Sequence, residues 1–484
     1  MFYLAAQQCL LLQKFYRMFI KQLYTTCLSE SAYYIESEGE AIIIDPLRDV
    51  EAYIELAKER NTSIKYIFET HLHADFVSGH IDLSKATHAP IVYGPGTETK
   101  YEAIIAKDGQ IFNLGKLRIV VLHTPGHTIE STCYLLKDEN GKDIAVFTGD
   151  TLFVGDVGRP DLLTGESTRE EMAGMLYESL QNKIITLADD VIVYPAHGNG
   201  SNCGKNIGTA RQSTIGEQKQ TNYALQQKSK DEFIQSVTEG LVAPPNYFPV
   251  NAQINKDGYE SMDSVLAQSL TALTINDFKS RMNNDAIVLD TREATEFVQG
   301  FIPGSIFIGL EGKFAEWAGS LLPFDKPLLL VTPQGKEKET IVRLARVGFS
   351  KIEGYLQGSF HAWRQAGEKV DLVIEVEADE LAMDIPFDTN LVVVDVRKEV
   401  EFADGHVTDA VNIPLGNMID PASIANIEDT DNLYLHCGSG FRSVIAASLL
   451  KRQGIHNLRN VAGGWASIKD QPGIKTEKDP AVLN

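Results

Sequence analysis

The rhythm of apolar and polar positions along this chain changes once, near residue 250. Before that point short apolar runs are bounded by turn residues. Phe19-Ile20-Lys21-Gln22-Leu23 reads as a first strand, and Ala41-Ile42-Ile43-Ile44 as a buried strand ending at Asp45-Pro46. Residues 50–60 have the spacing of an amphipathic helix. Four further runs each stop at a polar, ligand-type residue. Ile64-Lys65-Tyr66-Ile67-Phe68 leads to His71, Leu117-Arg118-Ile119-Val120-Val121-Leu122 to His127, Ile144-Ala145-Val146-Phe147 to Asp150, and Val191-Ile192-Val193-Tyr194 to His197. Strands ending this way are predicted to bring those residues to one sheet edge, where a rigid scaffold can hold a metal. A helix is predicted over 221–239, followed by a linker at the proline cluster Ala243-Pro244-Pro245-Asn246-Tyr247-Phe248-Pro249.

Beyond the prolines the pattern repeats at an offset of about 105 residues. Ile287-Val288-Leu289-Asp290-Thr291-Arg292 recurs as Val392-Val393-Val394-Asp395-Val396-Arg397. Leu328-Leu329-Leu330-Val331-Thr332 aligns with Leu433-Tyr434-Leu435-His436-Cys437, and Gly358-Ser359-Phe360-His361-Ala362-Trp363 with Gly463-Gly464-Trp465. Apolar strands alternating with helical stretches predict two small α/β domains with largely parallel sheets.

Chemistry concentrates first in Thr70-His71-Leu72-His73-Ala74-Asp75-Phe76. The H-x-H-x-D spacing, with imidazole and carboxylate together, suits a borderline divalent ion. A two-metal site would be expected to add a histidine directly after Asp75; Phe76 stands there and cannot bind a metal. One metal is therefore expected, with His71, His127 and Asp150 as a triad of two histidines and one carboxylate. That set describes a non-haem Fe(II) site able to activate O₂. Mononuclear zinc hydrolases also use mixed histidine and carboxylate ligands, so the residues leave the metal open. His73, Asp75 and His197 would touch the metal or orient its ligands.

The second concentration is His436-Cys437-Gly438-Ser439-Gly440-Phe441-Arg442-Ser443, after a strand and before a helix predicted over 444–452. Small residues let the backbone N–H groups curl toward Cys437, and the helix N-terminus behind them completes an anion cradle for a nucleophilic sulfur. Arg442 closes the loop with a fixed positive charge. Four residues separate Cys437 from Arg442, one fewer than a cysteine-dependent phosphatase loop normally has, and the tighter loop suits sulfane sulfur better than a phosphate ester. The first repeat has Thr332-Pro333-Gln334-Gly335-Lys336-Glu337 there, with no thiol and a glutamate at the arginine position. It cannot carry a persulfide.

Composition narrows the partners. At 484 residues the chain suggests about three domains. A net charge of −22 argues against nucleic acid or an anionic membrane, so any anion site must be a local exception. Five scattered cysteines without C-x-x-C exclude a disulfide framework and fit a reducing, cytoplasmic setting. Residues 1–17 are apolar and weakly basic but too interrupted for a membrane span or a secretory signal, and read as an extension upstream of Met18.

The His71 loop, Pro125-Gly126-His127, Thr148-Gly149-Asp150 and Pro195-Ala196-His197 resemble the metallo-β-lactamase fold of glyoxalase II relatives. The run from Asp150 through Gly158-Arg159-Pro160-Asp161 resembles its persulfide dioxygenase branch, and the Cys437 loop, Asp395-Val396-Arg397 and Gly463-Gly464-Trp465 resemble a rhodanese. The resemblance implies an αββα sandwich over 18–262, an inactive rhodanese-like domain over 270–373 and an active one over 376–475. It implies one Fe(II) per chain (alternatively zinc) on His71, His127 and Asp150. It also implies contact of Arg159 with the substrate's thiol carrier, and sulfur transfer by Cys437 and Arg442 with Gly438, Ser439, Gly440 and Phe441 lining the cradle. Expected small molecules are a low-molecular-weight thiol persulfide, O₂, sulfite and thiosulfate, with neither nucleic acid nor membrane as partner; a homo-oligomer is expected. Cys203, in a run shared with such fusions, would be either inert or a thiol that takes up or senses a persulfide. The rival expectations are a zinc thioester hydrolase of glyoxalase II type beside an independent sulfurtransferase, and a sulfur carrier or sensor.

Overall fold

The computed structural model describes residues 18–162 and 167–479; the expected extension at 1–17 lies outside them. The described chain divides into two compact units. The first holds 18–264 with 342–350, and the second holds 265–341 and 351–479.

In the first unit, strands β1 (Phe19–Thr25), β2 (Glu30–Ser37), β3 (Glu40–Ile44), β4 (Ser63–Phe68), β5 (Ile91–Tyr93) and β6 (Ile104–Ile105) form one sheet in chain order. A second sheet runs β12-β11-β10-β9-β8-β7, from β7 (Ile111–Leu114), β8 (Leu117–His123), β9 (Thr132–Lys137), β10 (Asp143–Gly149), β11 (Ile192–Pro195) and β12 (Ser213–Thr214). Alternation along the strands builds the layers. Tyr33, Ile35, Ile42 and Ile44 face Ile119, Val121, Tyr134 and Phe147 of the other sheet in a shared core. Ala32, Tyr34, Ala41 and Ile43 point the opposite way, against Tyr53, Leu56 and Ala57 of helix α1 (Glu51–Arg60). Outside the second sheet, Cys133, Leu135 and Val146 pack on Ala173 and Leu176 of helix α2 (Arg169–Ser179). The result is the expected αββα sandwich.

Two expectations fail here. The helix predicted over 221–239 is broken: a helix ends at Thr221, a 3₁₀ turn covers Tyr223–Gln226, and a new helix covers Lys230–Thr238. Buried Asn222 donates to the Phe153 and Asp156 carbonyls and accepts from the Ala224 N–H, while Ser229 caps the second helix by accepting from Glu232 N–H. Both side chains compete with the helical ladder. Nor does the proline cluster separate domains. Pro249 sits in the first turn of helix α3 (Phe248–Asp257), where a missing N–H costs nothing. Asn255 of that helix donates to the His73 and Phe76 carbonyls (2.7 and 2.8 Å), so the chain returns to grip the histidine loop.

The second unit holds two five-stranded sheets of one topology. The first runs β13-β17-β16-β14-β15, from β13 (Ala272–Leu273), β14 (Ile287–Asp290), β15 (Ile306–Phe307), β16 (Leu328–Val331) and β17 (Ile352–Leu356). The other runs β18-β23-β22-β19-β21, from β18 (Ile374–Val376), β19 (Leu391–Asp395), β21 (Val411–Asn412), β22 (Asn432–His436) and β23 (Leu458–Val461); β20 (His406–Val407) pairs elsewhere, with Thr476–Glu477. All pairings in both five-stranded sheets are parallel, as expected. The repeat extends to side chains. Arg292 forks onto Asp290, donates to Gly300 O and covers the Phe360 ring; Arg397 does the same with Asp395, Gly405 O and the Trp465 ring. Among the described residues no helix is long and apolar enough to cross a membrane.

Candidate metal centre and cysteine loop

The ends of β4, β8, β10 and β11 carry the four predicted ligand loops. His71, His127 and Asp150 converge, all buried, with their ligand atoms within 4.8 Å of one another. His127 Nε2 is 3.3 Å and His71 Nε2 3.9 Å from Asp150 Oδ2. Each imidazole is held from behind. His127 Nδ1 bonds the Arg159 carbonyl at 2.9 Å, and His71 Nδ1 lies 3.0 Å from Thr70 Oγ1, which donates to Asp45. Both Nε2 atoms are thereby presented inward. Burial, then the charge on His73, drives His71 well below the ordinary histidine range, so it stays in the neutral form that binds metal. Burial alone would raise Asp150, but His197 and His127 overcome it and hold the carboxyl far below its usual range. Its Oδ2 is buried without a hydrogen-bond partner. An orphaned carboxylate oxygen beside two inward imidazoles is costly unless a cation completes it, and a divalent metal fits.

His197 is differently engaged. Its Nδ1 bonds Asp150 Oδ1 and its Nε2 bonds Asp75 Oδ2, each at 2.8 Å. Burial would lower it, yet Asp150 and Asp75 raise it well above the ordinary range, as expected for an imidazolium between two carboxylates. His197 thus orients Asp150. Cys203 completes a second trio with Asp75 and His197; burial, then Asp75 and Asp150, pushes its thiol well up, so it sits there protonated. Phe76 is fully buried, its ring 4.4 Å from that of His73.

Arg159 is turned inward. Its guanidinium forks onto Asp161 (2.8 and 2.7 Å) and donates to Val242 O and Asn202 O, and its side chain is 3% exposed. The side chain clamps its own loop, and the Arg159 backbone carbonyl steers His127. Gly158 beside it is required by close approach: a Cβ would lie 1.9 Å from Asp150 O and 2.9 Å from His127 Nδ1. Gly158→Ala is expected to lower metal content at least tenfold, a change in the range of lost ligand support, measured by elemental analysis of purified protein.

Four residues escaped the sequence reading: Asp45 and Glu69 against His73, Glu30 beneath His197, and Glu401. Glu30 is wholly buried and burial raises it well above the usual range. Glu69 and Asp45 close strands whose ends were already suspect, which was the available signal.

In the second unit, Cys437 follows β22 and precedes helix α4 (Phe441–Arg452), with Gly440 at the N-cap in a left-handed conformation (φ 97°). The Gly440 N–H donates to Cys437 Sγ at 3.2 Å, and Ser443 Oγ lies 3.7 Å from it. From behind, the Trp465 N–H donates to Cys437 O at 2.6 Å, and a Cβ on Gly464 would come within 2.4 Å of that oxygen. Arg442 is bidentate with Glu401, both bonds 2.7 Å. In the first repeat the corresponding loop starts at Thr332, whose carbonyl accepts from Ser359 Oγ. Thr332→Ala keeps that bond; for the oxygen uptake and sulfur transfer that the resemblance implies, it is expected to leave each within about twofold of wild type in side-by-side assays.

Comparisons with known proteins give the family of each domain. Residues 25–197 match the metallo-β-lactamase superfamily. A crystal structure of a metallo-β-lactamase from Staphylococcus aureus is 32% identical, with a TM-score of 0.63, covering 70% of this chain and 98% of that one. The chain belongs to the metallo-β-lactamase superfamily. To that domain it adds two rhodanese-like domains, matched over 274–366 and 377–471. Among curated relatives of the metallo-β-lactamase domain, the cytoplasmic hydroxyacylglutathione hydrolase of Arabidopsis thaliana is 33% identical over 183 residues, 37% of this chain and 67% of that protein. The probable hydroxyacylglutathione hydrolase glo2 of Schizosaccharomyces pombe is 33% identical over 159 residues, and the chain spans 57% of its length. ETHE1 from Myxococcus xanthus is 29% identical, with a TM-score of 0.43, over 49% of this chain.

Proposed function

We propose that the metallo-β-lactamase domain is a persulfide dioxygenase with one non-haem iron, and that the second rhodanese-like domain passes sulfane sulfur to the sulfite it makes. The observation that carries the reading is the inward trio His71, His127 and Asp150 beside a His197 whose two nitrogens are both taken by carboxylates. Iron on that trio would bind and activate O₂ next to the terminal sulfur of a low-molecular-weight persulfide. The overall step is R–S–SH + O₂ + H₂O → R–SH + SO₃²⁻ + 2H⁺. The chain's own residues set the stage. Thr70 and the Arg159 carbonyl aim the two imidazoles, His197 fixes Asp150, and the Asp161-clamped Arg159 holds the loop that carries these contacts.

Cys437 then attacks the outer sulfur of a second persulfide, breaking its S–S bond and releasing R–SH. The Gly440 N–H and the α4 N-terminus hold charge on the new outer sulfur. Sulfite takes that sulfur as thiosulfate and returns the Cys437 thiolate. Fusion fits because sulfite is the product of one site and the acceptor at the other.

The hydroxyacylglutathione hydrolases among the relatives favour a second reading, a zinc thioester hydrolase with an independent sulfurtransferase. Phe76 and the doubly engaged His197 count against its two metals. Glutathione persulfide and S-lactoylglutathione offered to the same preparation separate the readings: oxygen consumption with sulfite formation supports the dioxygenase, and thioester cleavage without oxygen uptake supports the hydrolase.

A further inference from the structure

Arg442 stands in the first turn of α4, where the helix dipole presents its positive end. A cation is electrostatically misplaced there, and helix stability alone would favour an acid. Its guanidinium reaches the cysteine loop: a Cβ on Gly438, the residue after Cys437, would lie 3.3 Å from Arg442 Nη2. The charge therefore adds to the Gly440 N–H and the helix end that already face Cys437 Sγ. An oxyanion in that loop would be held by all three together.

Glu401 occupies both outer nitrogens of the guanidinium, at 2.7 Å each. The carboxylate is itself set in place, because its Oε2 accepts from the Lys398 N–H at 3.1 Å at the start of the helix Glu399–Ala403. The bonds from Arg442 hold Glu401 below the usual carboxylate range, so it is charged at neutral pH. Both side chains are partly exposed, and water screens the pair enough for either partner to exchange. The repeat supplies a contrast. Glu296 matches Glu401 and Glu337 matches Arg442, so the copy without a thiol has two acids where the copy with one has an ion pair.

We propose that Glu401 is a specificity-determining positioning residue of the sulfur-transfer site. It engages Arg442 as an exchangeable counter-ion, so an oxyanion entering the Cys437 loop competes for the guanidinium and is bound weakly enough to leave. The inference rests on the sulfur-transfer reading above and concerns which anions the loop retains. Sulfite and thiosulfate must come and go in every turnover. When the Cys437 thiolate attacks the outer sulfur of thiosulfate, the S–S bond breaks and sulfite leaves with its electron pair; the reverse step returns thiosulfate and the thiolate. With Arg442 unpaired, the loop would stay filled by product or by an inert oxyanion.

The test titrates full-length wild type and Glu401→Gln with sulfate, an oxyanion that cannot donate sulfur. Iodoacetamide alkylates Cys437 meanwhile, and peptide mass spectrometry follows the modified thiol. Glutamine keeps the side chain's length and an acceptor for the Lys398 N–H while removing the charge. Half-protection is expected at about tenfold lower sulfate in Glu401→Gln, because a charge-assisted bond no longer competes. In sulfur transfer from thiosulfate to cyanide, the KM for thiosulfate should fall about tenfold while kcat does not rise. A merely structural role would move KM the other way. Adding Arg442→Gln should erase the gain in protection. A folded Glu401→Gln with unchanged or weaker protection would overturn the proposal, as would a gain that survives Arg442→Gln. Should Glu401→Gln fail to fold, Glu401→Asp, too short to keep both bonds, decides by the same sign: tighter sulfate supports the proposal, and unchanged or weaker sulfate overturns it. Wild type that transfers no sulfur from thiosulfate would instead sink the sulfur-transfer reading while the sulfate shift stood, so the two failures are distinguishable.

Discussion

Asp150→Ala is expected to abolish oxygen uptake with glutathione persulfide, by at least about a hundredfold, while sulfur transfer through Cys437 persists. Asp150 does two jobs. Its Oδ2 faces both His71 and His127, and its Oδ1 holds His197 at 2.8 Å. Truncation removes the carboxylate proposed to bind the metal and leaves His197 with Asp75 alone in a buried setting, and breaking a buried pair costs about 3–5 kcal/mol. A loss of fold would then mimic a loss of metal. Asp150→Asn is the control, since its side-chain oxygen can still accept from His197 Nδ1. It should keep the fold and the transferase rate yet lose most of the iron. An oxygen electrode, a thiosulfate-forming assay and circular dichroism on each variant separate these outcomes. Equal loss of both activities in folded Asp150→Asn would contradict independent sites.

Cys437→Ser should give the reverse pattern. Replacing the sulfur nucleophile with a hydroxyl is expected to reduce sulfur transfer at least about a thousandfold, because no persulfide can form. The cradle should survive, as it is built from the Gly440 N–H, the α4 N-terminus and the Trp465 N–H donating to the residue's own carbonyl. Oxygen uptake should continue, and sulfite should accumulate where wild type yields thiosulfate. Quantifying both anions over a single time course checks this. Thiosulfate formation at an undiminished rate would show that another thiol carries the sulfur.

Much of this arrangement is legible in the sequence. The αββα layers are implied by the resemblance carried by the His71 loop, Pro125-Gly126-His127, Thr148-Gly149-Asp150 and Pro195-Ala196-His197, and the ligand edge by strands that each lead to His or Asp. The α/β repeat follows from matched Asp-x-Arg signatures that fold into matched ion pairs. What could not be read depends on contacts between distant segments. The helix predicted over 221–239 breaks because Asn222 bonds carbonyls near residue 155, and the prolines at 244–249 lead into a helix that grips a loop some 180 residues earlier. The Asp161 carboxylate and Val242 carbonyl that take the Arg159 guanidinium, and the Glu401 carboxylate against Arg442, are likewise brought in by the fold. Local spacing indicates which residue types are present. It does not show that His71 Nε2 lies toward Asp150 while His73 Nε2 lies against Asp45 and Glu69.

The central claim is a single iron that consumes oxygen. Anaerobic purification, elemental analysis and an immediate oxygen-electrode run on glutathione persulfide test it most directly. The account predicts one iron per chain and uptake of one O₂ for each sulfite and thiosulfate formed. Two zinc ions per chain with no oxygen consumed would contradict it.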